Sequence, residues 1–177
     1  MQHSEPNRAD WVQAALEQFE GPLVRYAMGI TGNLDEARDV VQDTFMKLCA
    51  ADRAEIQDRL AAWLYTVCRN RALDVKRKAR RMISLHEAQV EDRESLDPPP
   101  SALAERRDTQ SAVARAINSL PRNQQEVIRL KFQDALSYKE ISQVTGLSVS
   151  NVGYLIHTAI KNIRQRLAVT PGLLEEA

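Results

Sequence analysis

Ser150, Asn151, Tyr154, His157, Thr158, Lys161, Arg164 and Gln165 fall on one side of a helical repeat near the end of the chain. Hydroxyls, an amide and a few cations at that spacing can bond to base edges and neutralise phosphates. The opposite side, Val152, Ile156, Ile160, Ile163 and Leu167, is apolar at helical spacing, and Ser148 stands where a cap is needed. Upstream, Ser137 and Glu140 form an S-x-x-E capping box that starts a shorter helix through Val144. Gly146 then supplies a left-handed reversal and Leu147 wedges the two helices apart. Leu136–Leu167 therefore predicts a helix-turn-helix, with its second helix suited to a DNA groove. Taken alone, the segment also fits an ordinary helical hairpin with a solvated polar face.

Two further stripes carry chemistry. Asn70, Asp74 and Arg77 lie at i, i+4 and i+7, with Lys76 and Arg80 on the flank. The cations suit phosphates and the amide suits a base edge. Asp35, Asp39, Gln42 and Met46 lie at i, i+4, i+7 and i+11, with Asp43 beside them. That mixture of carboxylate, amide and thioether fits a basic, partly apolar helical partner, or is simply a solvated face. No phosphate-cradling glycine loop, H-E-x-x-H pattern or cysteine–histidine pair occurs, so no enzymatic chemistry, metal or cofactor is expected. His157 has no second histidine near it in sequence, which argues against a switch or a ligand role.

The elements that must hold these stripes are all helical. At 177 residues and 44% hydrophobic content the chain can bury one core or two small ones, and six glycines with little period-two alternation argue against sheets. Residues 1–9 read as an N-terminal extension and 10–85 as a first helical domain. Trp11, Ala15, Phe19, Leu23, Tyr26, Ala27 and Ile30 mark a helix interrupted at Gly21-Pro22. Asn33 caps the next, with Glu36 in the reciprocal position, and its inward stripe is Ala37, Val40, Val41, Thr44, Phe45 and Leu48. A polar loop is expected over 50–58. A long helix follows over 59–81, facing inward through Leu60, Leu64, Val67, Cys68, Ala72 and Val75. Trp63 reads as core, whereas Tyr65 fits either core or a base-stacking platform. Residues 86–105 are acidic, carry Asp97-Pro98-Pro99-Pro100 and read as a linker, able to span about 70 Å at ~3.5 Å per residue. A second helical domain covers 106–168, opening on Val113, Ala116, Ile117 and Leu120, with Pro121 in the first turn of the next helix. Residues 169–177 are a tail.

Formal net charge is zero, but its distribution is uneven. Asp10–Asp52 holds three basic and eight acidic residues, Arg69–Arg81 seven and one, Glu87–Asp108 three and seven, and Thr109–Leu167 eight and three. Two basic blocks separated by acidic ones suggest two DNA contacts and at least one non-DNA surface. Cys49 and Cys68 have no paired spacing and read as buried structural thiols, a redox switch between them being the alternative. With no signal peptide and no apolar run of spanning length, a cytoplasmic protein without membrane insertion is expected.

LDEARDVVQDTFMKL (Leu34–Leu48), RLAAWLYTVCRNRALDVKRKARR (Arg59–Arg81), LPRNQQEVIRLKF (Leu120–Phe132) and the helix-turn-helix occur in one order that resembles the extracytoplasmic-function sigma factors of bacterial RNA polymerase. The resemblance implies a two-domain promoter-specificity subunit; a free-standing helix-turn-helix regulator is the alternative. It implies that Asp35, Asp39, Gln42, Asp43 and Met46 dock on the clamp helices of core RNA polymerase. Asn70, Asp74, Lys76, Arg77 and Arg80 would meet the minus-ten element of promoter DNA, with the 50–58 segment taking an extruded base. Tyr138, Lys139, Ser148, Ser150 and Asn151, with Tyr154, His157, Thr158 and Lys161, would meet the minus-thirty-five element. An anti-sigma factor is implied as a further partner by the family alone. The chain departs from the family pattern at Gly153, Leu155 and Thr158, where basic residues are usual, so an atypical promoter sequence is expected.

Overall fold

In the computed structural model, residues 8–87 and 112–168 are described, and every regular element among them is helical. The first unit comprises α1 (Arg8–Thr31), α2 (Leu34–Ala50), α3 (Arg53–Ile56) with a 3-10 turn at Gln57–Arg59, and α4 (Leu60–Glu87). The second comprises α5 (Ala112–Asn118), α6 (Arg122–Phe132), α7 (Tyr138–Thr145) and α8 (Val149–Ala168). The all-α, two-unit architecture expected from the sequence is what forms. The proline-containing linker and the tail lie outside the described residues, apart from His86 and Glu87. Those two continue α4 beyond the expected end at residue 81, because no glycine or proline intervenes to stop it.

In the first unit α1, α2 and α4 pack pairwise around one core. The expected break at Gly21-Pro22 does not occur: α1 runs through Pro22 without interruption. Proline forfeits one helical hydrogen bond, a cost of about 3 kcal/mol, and burial of Leu23, Tyr26 and Ala27 immediately after it offsets that loss. The predicted inward stripe of α2 is buried residue for residue. Asn33 Oδ1 accepts from the N–H groups of Asp35 (2.8 Å) and Glu36 (3.1 Å), which is the expected cap. The reciprocal half differs: the Asn33 N–H donates to Thr31 Oγ1 at 3.4 Å rather than to Glu36.

Residues 50–58 are not a loop. Asp52 accepts from Ala54 N–H at 2.9 Å, nucleating α3, and Ile56 anchors it in the core. At the other end of α2, Arg8 donates to the carbonyls of Cys49 (2.5 Å) and Ala51 (2.7 Å), closing the helix C-terminus with a cation. Arg8 thus belongs to α1, inside what reads in sequence as an extension.

On α4 the buried residues are Ala62, Leu64, Tyr65, Cys68 and Ala72, while Leu60, Val67 and Val75 are half-buried. Burial pushes the Cys68 thiol up to about 12, against a lesser opposing hydrogen bond with Thr44. Cys49 departs from expectation, standing exposed at the end of α2.

In the second unit, α5 and α6 pack on α8 over a core of Ala116, Leu120, Val127, Leu130, Ile141, Val152 and Ile156. Val113, expected inside, is exposed. Ala135 takes φ +57, turning the chain so that Leu136 N–H reaches the Leu130 carbonyl at 3.0 Å and Leu136 is buried. Ser137 and Glu140 form the predicted capping box, with Ser137 N–H donating to Glu140 Oε2 (2.8 Å) and Glu140 N–H to Ser137 Oγ (3.3 Å). Gly146 adopts the left-handed φ of +74 that the reversal requires, and Ser148 Oγ caps α8 by accepting from Asn151 N–H at 3.2 Å.

Candidate nucleic-acid and partner interfaces

The α2 stripe is exposed along its length, from Asp35 through Asp39 and Gln42 to Met46, whose side chain is 66% accessible. The eleven residue steps from Asp35 to Met46 make this edge about 16 Å long at ~1.5 Å per step. It borders a groove of about 650 Å³ between α1 and α2, whose apolar wall includes Val12, Leu16, Val24, Phe45 and Met46. The α1 half of this groove is not apparent from sequence, because only the packing of α1 on α2 joins the two faces. Asp43 is separated from the stripe by its bonding. Its Oδ2 accepts from Arg71 Nε at 2.6 Å, fastening α2 to α4. No local sequence signal pairs Arg71 with Asp43, which lies 28 residues away in the chain.

On α4, Asn70, Asp74, Arg77 and Arg80 are exposed. Arg77 Nη1 donates to Asp74 Oδ1 at 3.1 Å, an open pair of the kind worth little in water and readily exchanged for a phosphate. Lys76 is differently engaged. Its ammonium donates to the Ile30 carbonyl at 3.0 Å and is half-buried, so it caps α1, which has no basic residue of its own in its last turn. Lys78 and Arg81, part of the basic Arg69–Arg81 block, are also exposed, and Arg81 continues the Asn70–Asp74–Arg77 stripe by one more turn. Tyr65 is 1% exposed and meets the Tyr26 ring edge-on, with centroids 5.2 Å apart. The stacking-platform alternative for Tyr65 is therefore closed, while Trp63 is half-buried.

In the second unit Tyr138, Lys139, Ser148, Ser150, Asn151, Tyr154, His157 and Lys161 are all exposed, and Thr158 is half-buried. Tyr154 is 67% accessible. Leu155, one of the departures from the family pattern, is buried and serves the core. Gly153 faces the Tyr138 ring, whose Cε2 would lie 3.6 Å from an added Cβ. Lys131 Nζ sits 5.5 Å from the centroid of that ring. No helix among the described residues is long and apolar enough to cross a membrane.

Comparison with known proteins divides the chain in the same order as these surfaces. Residues 15–82 match the family model Sigma-70 region 2, and residues 110–163 match Sigma-70, region 4. The ECF RNA polymerase sigma factor SigL of Mycobacterium tuberculosis (strain H37Rv) is 28% identical over 90% of this chain and 92% of the relative. SigW of Bacillus subtilis (strain 168) is 27% identical over 84% of each chain. EcfG of Rhodopseudomonas palustris (strain TIE-1) is 26% identical over 83% of this chain and 80% of the relative. The fold resembles the sigma factor RpoE of Bartonella quintana, solved in complex with the anti-sigma factor NepR. The TM-score is 0.64 at 23% identity, covering 89% of this chain and 96% of that one.

Proposed function

Because this chain belongs to the extracytoplasmic-function group of sigma-70 factors, and acts in transcription initiation as an RNA polymerase sigma factor, we propose how its surfaces divide that work. The first domain, 10–85, docks on core polymerase through Asp35, Asp39, Gln42 and Met46 and the groove beside them. What supports this is an exposed acidic and amide edge next to an apolar groove, its one ion pair among the described residues the open Arg38–Asp35 contact at 3.9 Å, a combination suited to a basic amphipathic helix. Asp43 contributes chiefly by holding Arg71.

The α4 face, Asn70, Asp74, Arg77, Arg80 and Arg81, holds the minus-ten region as it opens, its cations neutralising phosphates of the separated strands. Lys76 braces α1. The second domain, 106–168, fixes register on the minus-thirty-five element through α7 and α8, with 86–105 as the connection. The protein works in the cytoplasm, makes no covalent bonds itself, and takes an anti-sigma factor as a regulatory partner. A free-standing helix-turn-helix regulator is not favoured, since such a protein would have no use for region 2.

The test is run-off transcription with purified core polymerase, together with co-elution on size exclusion. Wild-type chain is expected to co-elute and to stimulate initiation on promoters from a genome-wide library. Asp39→Arg is expected to weaken core binding by about tenfold while leaving duplex binding by the second domain unchanged. Equal co-elution of the two proteins would refute the docking edge.

A further inference from the structure

We propose that α8 selects A·T pairs through Asn151 and Tyr154 and makes no guanine contact from its base-reading half. The inference rests on the sigma-factor reading and specifies what its second domain recognises. Ser150, Tyr154, His157 and Lys161 recur at i, i+4, i+7 and i+11, with Asn151 beside the first, and all five are exposed.

Helix-turn-helix proteins present the N-terminal residues of the second helix to base edges. The commonest guanine contact is a lysine or arginine on O6 and N7. Val149–Ile160 contains neither residue type. The first cation of α8, Lys161, is about 18 Å along the axis from Val149 at ~1.5 Å per residue. Leu155 adds nothing to the reading face because it is buried. The two ring nitrogens of His157 do not form the fork that a guanidinium presents to O6 and N7.

Asn151 has the paired acceptor and donor that match adenine N7 and N6. The bond from its backbone N–H to Ser148 Oγ fixes it in the first turn and leaves the carboxamide exposed. Tyr154, three residues on, presents an exposed ring of the kind that packs on the thymine methyl.

Gly153 lies on the flank of the stripe away from Asn151, where it adds no charge. The Tyr138 ring borders it, with Cε2 3.6 Å from where a Cβ would stand. That ring is held in turn by Lys131, whose ammonium also donates to the Leu136 carbonyl at 3.3 Å. Lys139, exposed at the start of α7, belongs to the helix that crosses the backbone, so it serves a phosphate rather than a base.

Holoenzyme assembled from the full chain and core polymerase tests this. Start sites are mapped on genomic DNA, and the upstream element of one active promoter is randomised and re-selected by transcription. The expected result is enrichment of A·T pairs, with no position favouring guanine by more than about threefold. Asn151→Ala and Tyr154→Ala are each expected to flatten one enriched position by about tenfold, and Gly153→Arg to create a guanine preference of about tenfold. A wild-type preference led by guanine overturns the proposal, as do base preferences that neither alanine variant changes. Holoenzyme that initiates nowhere overturns the sigma-factor reading instead, a result distinct from initiation with the wrong bases.

Discussion

α4 and α8 are the long helices that end their respective units, yet they distribute charge in opposite ways. Four cations crowd Arg77–Arg81 on α4, whereas α8 runs twelve residues before its first cation, Lys161. Dense cations grip any sequence and lose that grip with salt, because binding is driven by release of counterions. A stripe of amide, hydroxyl and ring contributes little to such binding but distinguishes one base pair from another. On the function proposed above, one architecture thus supports two tasks, holding strands in the first unit and reading them in the second.

The sharpest way to break this comparison is to remove one core at a time. Leu64→Ala and Ile156→Ala each delete a fully buried aliphatic side chain and are each expected to cost about 3 kcal/mol. Thermal melts followed by circular dichroism should show the loss, and either variant melting like wild type would mean that its core is misassigned.

Alkali should act on the first unit alone through Cys68. Its thiol is raised from 9.0 to about 12 by burial, so the unfolded chain ionises first. The stability carried by the protonated thiol is complete below pH 9 and is lost as pH rises toward 12. Cys68→Ala should flatten that decline, and at pH 8 a thiol reagent should label Cys49 in the native protein and Cys68 only on unfolding. Prompt labelling of both would contradict the buried position.

Salt provides a finer contrast. Arg77→Ala is expected to lower the slope of log affinity against log salt by about 1, measured on promoter DNA with holoenzyme. Tyr154→Ala should leave that slope unchanged. An equal effect of the two substitutions would erase the distinction between the helices.

The smallest expected effect is a gain. Gly153→Ala should stabilise the second unit by about 1 kcal/mol, because the added Cβ meets Tyr138 at an ordinary 3.6 Å and alanine favours helix. Destabilisation would mean that the Tyr138 ring cannot tolerate the methyl.

Local signals were legible wherever the interaction itself was local. The α2 stripe from Ala37 to Leu48, the Asn33 cap, the Ser137–Glu140 box and the Gly146 reversal all depend on residues within a turn or two of one another. Distant partners were not legible. Pro22 stays in a continuous helix because α2 and α4 bury the turn that follows it. Ala135 carries no turn signature, yet adopts a left-handed conformation that closes α6 and buries Leu136.

The candidate surfaces divide in the same way. Periodicity along single helices identified Asp35–Met46, Asn70–Arg77 and Ser150–Lys161 as outward stripes, since helical geometry alone decides which side chains share a face. Which of those side chains are free was decided by neighbours far away in sequence: Arg71 takes Asp43, Ile30 takes Lys76, Tyr26 covers Tyr65, and α1 supplies half of the groove beside α2. The amino-acid order determined the helices and their faces because those depend on short-range bonding and spacing. The tertiary structure alone decided which polar groups remain available to a partner, because an ammonium or a carboxylate is engaged by whatever the packing brings within about 3 Å of it.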